Sequence, residues 1–382
     1  MNIKFKNIIN GIKSCYGRES FISLHEPVFF GNEKKYLLNA IDSTFVSSVG
    51  KYVDLFEEKM CKLNNVKKTI AVVNGTSALH ICLKLANVGN GDEVITQALT
   101  FVATANAISY LNARPVFIDV DLETMGLSPS ALQDFLDQNA EIRDTGTFNK
   151  TTGNRISACV VMHTFGFMCE MDEIIKICKK WNILIVEDSA ESLGSKYKGR
   201  FSGSIGDLSA FSFNGNKIIT SGAGGSICTN NELLGKKAKH ITTTAKVAHK
   251  WEFYHDELGY NYRMSNINAA LACAQLENIN EIMLNKKLLY DEYKSVFMKN
   301  GTELVSIPKN TEWNYWLMCI RLENKKERDL FLNYSNDNKV MTRPIWQLMY
   351  RLPMYKDCQR DSQKNAEYLE SRIVNIPSSA RI

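Results

Sequence analysis

Nowhere in the 382 residues is there an apolar run long enough to cross a bilayer, so no membrane-spanning helix is expected. Basic blocks are missing too. The 46 Lys and Arg stand among 41 Asp and Glu for a net charge of +5, and no cationic stretch is separated from acidic neighbours. Nucleic acid is therefore not implied as a partner, although local cations could serve an anionic substrate. The ten cysteines include no Cys-x-x-Cys pair and do not gather with the six histidines, so no metal centre is expected. Several lie inside apolar runs, where a free thiol packs as a small hydrophobe; a reducing, cytoplasmic setting is the simpler reading. The basic N-terminus is interrupted by Asn and Lys before a signal-peptide core could form. There is no internal repeat and no low-complexity tail.

What is present is the composition of an ordinary soluble enzyme, 45% hydrophobic and 23% charged. The length predicts one large domain and one smaller. Residues 1–20 read as a polar, amphipathic leader, 21–245 as the large domain and 246–382 as the small C-terminal one. Apolar strands at 69–73, 113–121, 157–166 and 183–186 alternate with helical patterns. That alternation predicts an α/β fold: a mainly parallel sheet covered on both faces, with ligands at the carboxyl ends of its strands. Asn32 and the pair Ser128-Pro129 are placed to start helices. Residues 137–156 read as a surface excursion, 267–298 as one long helix, 313–322 as a strand and 361–372 as the last helix.

The chemistry concentrates between residues 183 and 225. One apolar run delivers a carboxylate at its end, Asp188, and a second delivers an amine, Lys217, followed by Gly222, Gly224 and Gly225. Pyridoxal phosphate chemistry needs that pair: a lysine to form the Schiff base, and an acid to keep the pyridine nitrogen protonated so that the ring withdraws electrons. Upstream, a strand turns through Asn74-Gly75-Thr76-Ser77 into a helix, exposing unpaired N–H groups and the positive helix end that hold a phosphate. Phe101, at the start of the next helix, could stack on a flat ring or simply fill the core. His163 ends a strand, where pocket and core are both open to it.

Five segments then resemble a known family. They are Asn74-Gly-Thr-Ser-Ala-Leu, Thr100-Phe-Val-Ala-Thr-Ala-Asn-Ala, Val186-Glu-Asp-Ser-Ala-Glu-Ser-Leu-Gly-Ser, Ser212-Phe-Asn-Gly-Asn-Lys and Gly259-Tyr-Asn-Tyr-Arg-Met. In order and spacing they resemble DegT-type sugar aminotransferases over residues 21–377. The resemblance implies the fold type I of pyridoxal phosphate enzymes, aspartate aminotransferase-like. It assigns Lys217 to the Schiff base and Asp188 to the pyridine nitrogen. Gly75, Thr76, Ser77 and Ser212 would hold the phosphate, and Phe101 would lie on the ring face. Asn261 would reach the phosphate from a neighbouring subunit, which implies a homodimer with shared sites. Two departures stand out. Glu191 occupies a place near the ring hydroxyl where many relatives have Gln or His, and Ala223 stands where many have Glu.

The wording of 45–51, 96–101, 242–246 and 342–346 further resembles the branch acting on UDP-4-keto-6-deoxy-N-acetylhexosamines. The implied reaction takes an amine from L-glutamate and passes it to the 4-keto carbon of a nucleotide sugar, for bacterial surface glycans. A dTDP- or GDP-4-keto-6-deoxyhexose of the perosamine type is the alternative substrate. Arg343 and Lys246 are candidate partners of the sugar's diphosphate, or plain surface charge. Related sugar dehydratases carry His in place of the lysine, which Lys217 opposes. A silent cofactor-binding regulator, or a binding protein without cofactor, would have no need of the Lys/Asp pair.

Overall fold

The computed structural model describes residues 3–299 and 301–382. Three helices, α1 (Ile3–Tyr16), α2 (Glu33–Asp42) and α3 (Lys51–Asn64), precede the first strand. Strands and helices then alternate: β1 (Lys68–Val72), α4 (Gly75–Leu85), β2 (Glu93–Gln97), α5 (Val102–Ser109), β3 (Arg114–Ile118) and α6 (Pro129–Asn139). The hairpin β4 (Ala140–Arg143) and β5 (Gly146–Asn149) leads to β6 (Arg155–Met162), α7 (Met171–Lys180) and β7 (Leu184–Asp188). The short pair β8 (Lys196–Tyr197) and β9 (Arg200–Phe201) is followed by β10 (Leu208–Ser212), β11 (Gly225–Thr229) and α8 (Glu232–Thr242).

The long strands line up as β1-β11-β10-β7-β6-β2-β3. From β10 to β3 every pairing is parallel, and β11 alone runs antiparallel to both neighbours. Alternate residues of each strand feed opposite faces. On β6, Ala158 and Val160 join a core with Ala78, Ile81 and Ile108, under α4 and α5, while Cys159 and Val161 join another with Leu136, Ile174 and Ile177, under α6 and α7. Both faces being covered, the strands read as unbroken apolar runs.

Beyond residue 246 come α9 (Asn266–Glu277), α10 (Ile279–Lys299), β12 (Glu303–Leu304), β13 (Thr311–Glu312) and β14 (Cys319–Arg321). They are followed by α11 (Lys325–Asp337), β15 (Arg343–Pro344), α12 (Lys364–Glu370) and β16 (Ile373–Asn375). A small sheet, β12-β14-β16-β15, is antiparallel throughout, and β13 pairs with β8. Packing groups these elements differently from their order in the chain. The stretch read as a leader is α1, whose Phe5, Ile8, Ile9 and Ile12 are buried against α10 and α11. Helix α9 packs on α2 and α3, and Tyr262 accepts the N–H of Val73 through its carbonyl.

Four expected elements differ in the structure. The helix expected at 267–298 is two, because Asn278 ends α9 and turns the chain so that α10 packs beneath the small sheet instead. The excursion at 137–156 is tied down: Thr147 and Phe148 pair with β6, and the fully buried Asn149 donates to Glu93 Oε2 at 2.7 Å. The strand expected at 313–322 is confined to β14. Asn314 is buried and donates to the carbonyls of Glu191 and Leu193, its Oδ1 takes the N–H of Trp316, and Tyr315 is left-handed at φ 57°, so 313–317 cannot pair as a strand. The helix expected at 361–372 starts later, because the Asp361 carboxylate accepts the N–H of Asp119 and of Gln363 from outside it.

Candidate active site

Strands β7 and β10 are parallel neighbours, with Asp188 opposite Ala210, so the carboxylate and Ser212 leave the sheet at the same edge. Helix α4 begins against that edge. A side chain at Gly225 would collide with the backbone of Asn74 and Gly75 at 2.4–2.7 Å, and one at Gly75 would meet Ser212 Cβ at 2.7 Å. Glycine at both places is what lets the helix start come so close. Asn74 caps α4 by accepting the N–H of Ser77 at 2.8 Å, and its own carbonyl takes the N–H of Ala78. The N–H groups of Gly75 and Thr76 are left without a partner among the described residues, as anion-binding helix starts require.

Lys217 ends a tight turn in which its N–H reaches the carbonyl of Asn214 at 3.0 Å. Its Nζ lies 4.3 Å from the centre of the Trp316 ring and 3.5 Å from Glu191 Oε1. Trp316 is fixed in turn by donating to the carbonyl of Asn216 at 2.7 Å. Glu191 uses its other oxygen to accept the N–H of Phe165 at 2.9 Å. Burial pushes the Glu191 carboxyl up to about 7, against the pull of the Lys217 charge.

Asp188 is buried and accepts the Thr104 hydroxyl at 2.7 Å and the Ala190 N–H at 3.2 Å. Thr104 is itself 2.8 Å from the Thr100 hydroxyl, which must donate because the Thr104 proton faces the carboxylate. Burial raises Asp188 above its ordinary value, with the Thr104 and Ala190 bonds and the Lys217 charge pulling the other way. A cation brought against such a carboxyl favours its charged form.

A cavity of about 570 Å³ joins these groups. Gly75, Thr76, Phe101, Asp188, Glu191, Ser212 and Lys217 all line it, as do Ala223 and Arg343. Ser77 is buried one position further along α4, its N–H already committed to Asn74. Asn261 stands outside, exposed, accepting the Arg263 Nε at 3.0 Å. Lys246 also stands outside, its Nζ 3.9 Å from the centre of the Phe253 ring. His163 belongs to the core: its Nδ1 accepts the N–H of Cys169 at 3.3 Å, which leaves the proton on Nε2 to face Glu187 at 3.0 Å. Thr104, Phe165 and Trp316 were not foreseen. Thr104 sits four residues after Thr100, a helical spacing that marks a shared face, whereas Trp316 is brought in only by the small sheet.

Pyridoxal phosphate fits these residues. Asp188 could offer a ring nitrogen two lightly used oxygens, the free N–H groups of α4 would suit the phosphate, and Lys217 could provide the amine. A lysine and a buried acid opening on one cavity, beside a free helix start on a mixed α/β sheet, mark the class of pyridoxal phosphate-dependent enzymes. The particular branch follows from likeness to known proteins. The chain belongs to the DegT/DnrJ/EryC1/StrS aminotransferase family, whose profile matches residues 30–382, and it is a pyridoxal phosphate-dependent sugar aminotransferase.

It is 37% identical over 361 residues to the GDP-perosamine synthase of Escherichia coli O157:H7, covering 94% of this chain and 93% of that one. It is 34% identical over 360 residues to the GDP-perosamine synthase of Vibrio cholerae, covering 94% of each. The aminotransferase TlmJ of Streptoalloteichus hindustanus shares the fold, with a TM-score of 0.85 at 23% identity over 94% of each chain. These two relatives carry the GDP-sugar name rather than that of the UDP-N-acetylhexosamine branch expected from the wording of 45–51, 96–101, 242–246 and 342–346. Among the described residues no helix is long and apolar enough to cross a membrane.

Proposed function

We propose that the protein transfers an amino group from L-glutamate to the 4-keto carbon of a GDP-linked 4-keto-6-deoxyhexose, a step in the making of a bacterial surface glycan. The observation that carries the reaction is Lys217 and Asp188 opening on one cavity at neighbouring strand ends. The nucleotide and sugar rest on the two GDP-perosamine synthases it resembles over nearly its whole length.

Bound in this cavity, pyridoxal phosphate supplies a ring that draws negative charge away from the reacting carbon. Lys217 would hold the cofactor through its Nζ amine, and the same amine would carry a proton between carbons of the bound substrate. Asp188 keeps the ring nitrogen charged. The Gly75 and Thr76 N–H groups, with the hydroxyls of Thr76, Ser77 and Ser212, would hold the phosphate, and Phe101 would cover the ring. Glu191, 3.5 Å from Lys217 Nζ, would accept a hydroxyl of the bound ring. Arg343, exposed at the mouth with no ion pair among the described residues, meets the sugar diphosphate.

Asn261 completes the phosphate site of a second copy. It is exposed and lies outside its own chain's cavity, and the exposed Phe29, Phe45, Val49, Trp251 and Phe253 offer apolar area for that copy to cover. The test is to give purified holoenzyme glutamate and follow loss of the cofactor's visible absorbance, then add GDP-, UDP- and dTDP-4-ketosugars separately. Recovery with the GDP sugar is expected. Recovery only with UDP-4-keto-6-deoxy-N-acetylhexosamine would move the substrate to the other branch, and no response to glutamate would leave a silent regulator.

A further inference from the structure

The small sheet walls one side of the catalytic cavity. Asn375, the last residue of β16, borders that cavity and is 4% exposed. Its side-chain Nδ2 is shut off from solvent and has no hydrogen-bond partner among the described residues. Buried polar groups are almost always paired, so one that is not, at the edge of a substrate cavity, points to a ligand that completes it.

Asn375 lies directly opposite Arg343 on β15 and Cys319 on β14. Residues facing each other across antiparallel strands share one face of the sheet. Asn375 and Arg343 therefore project on the same side, into the cavity that Trp316 and Trp346 also border. Exposure orders the two: Arg343 is open to solvent and Asn375 is enclosed. A ligand whose charged end meets Arg343 would bring a neutral, oxygen-bearing part against Asn375. A hexose joined to a diphosphate has that arrangement.

We propose that Asn375 is a specificity-determining residue of the sugar half of the reaction. Its amide N–H donates to an acceptor oxygen on the hexose ring beside the ketone, a hydroxyl or an N-acyl carbonyl, and so sets which ring carbon faces Lys217. The inference rests on the nucleotide-sugar reading of the same cavity. It separates the substrates by chain contact, because glutamate presents no ring hydroxyl to that wall.

The test uses Asn375→Leu and Asn375→Ser holoenzymes, with GDP-4-keto-6-deoxyhexose and UDP-4-keto-6-deoxy-N-acetylhexosamine as probes. Because the amide has no partner in the chain, the Tm without sugar should hold or rise in Asn375→Leu. The Tm increase that the sugar gives the wild type should shrink in both variants. The sugar kcat/KM should fall roughly ten- to a hundredfold while the glutamate half-reaction keeps its rate. Wild-type sugar kinetics and Tm shift in both variants would overturn the assignment alone, as would an equal loss in the glutamate half. A wild-type protein whose Tm and cofactor absorbance neither sugar changes would overturn the nucleotide-sugar reading, and the Asn375 role with it.

Discussion

Glu187 and Asp188 are neighbours on β7 whose side chains leave opposite faces of one strand, and the chain surrounds them differently. Glu187 is satisfied on every side: His163 donates to one oxygen with the Gly203 N–H, and the Ile205 and Gly206 N–H groups take the other. Burial would raise it, but the His163 bond and the backbone donors outweigh burial and hold it below its ordinary value. Asp188, equally enclosed, has one hydroxyl and one longer N–H bond and is raised. Four donors make a structural carboxylate, a finished part of the fold. Two leave capacity for a ligand, and the unfinished acid is the one that opens on the cavity.

The comparison breaks most decisively at the lysine. Lys217→Ala should remove the visible absorbance of bound cofactor and cut turnover by roughly 10⁴-fold or more; an unchanged spectrum would place the amine elsewhere. Next come the two acids themselves. Asp188→Asn should retain part of the cofactor and lose about 10²–10³-fold in turnover with little change in Tm, since the amide still accepts from Thr104. Glu187→Gln should do the reverse: about 3 kcal/mol less stable, read by denaturant unfolding, with turnover per folded molecule kept. If both variants lose activity alike, the division between a structural and a functional acid is wrong.

Glu191 sharpens the contrast through pH. Its folded value near 7 lies above the ordinary 4.5, so between those values the folded chain holds a proton that the unfolded chain has released. Its contribution to stability is full below about 4.5 and is lost as pH rises through about 7. In cofactor-free protein, Glu191→Gln should gain up to roughly 3 kcal/mol on wild type between pH 5 and 8. Parallel pH–stability curves would refute that raised value. The smallest effect belongs to Thr104→Val, which takes one donor from Asp188: about a tenfold loss in turnover, with Asp188 moved further up and cofactor release by dialysis made easier.

Legibility followed the range over which each feature is decided. The strand-turn-helix at 69–85 and the run ending at Asp188 are local, with patterning and capping residues inside a dozen positions, and both stand in the structure as expected. Ser128 and Pro129 start α6 as expected, whereas Asn32 stands at the start of α2 without using its side chain as a cap. The failures are tertiary. The break at Asn278 depends on which layers α9 and α10 pack against, and the lost strand at 313–317 on Asn314 being claimed by Glu191 and Leu193 more than a hundred residues away. His163 could have faced either way from a strand end; the Glu187 carboxylate across β7 settles it. Thr104 lies within the segment 100–107, which shows no role for it, and Trp316 and Asn375 carry no motif at all.

By itself, then, the chain's order of residues marked out a candidate amine, a candidate acid and a helix start, because each is set by neighbours close in sequence. Only the tertiary structure decided how those groups are completed. The wall of Trp316, Arg343 and Asn375, and the difference between Glu187 and Asp188, arise from segments far apart in the chain. Burial and hydrogen-bond count depend on everything packed around a group, and no local pattern encodes that.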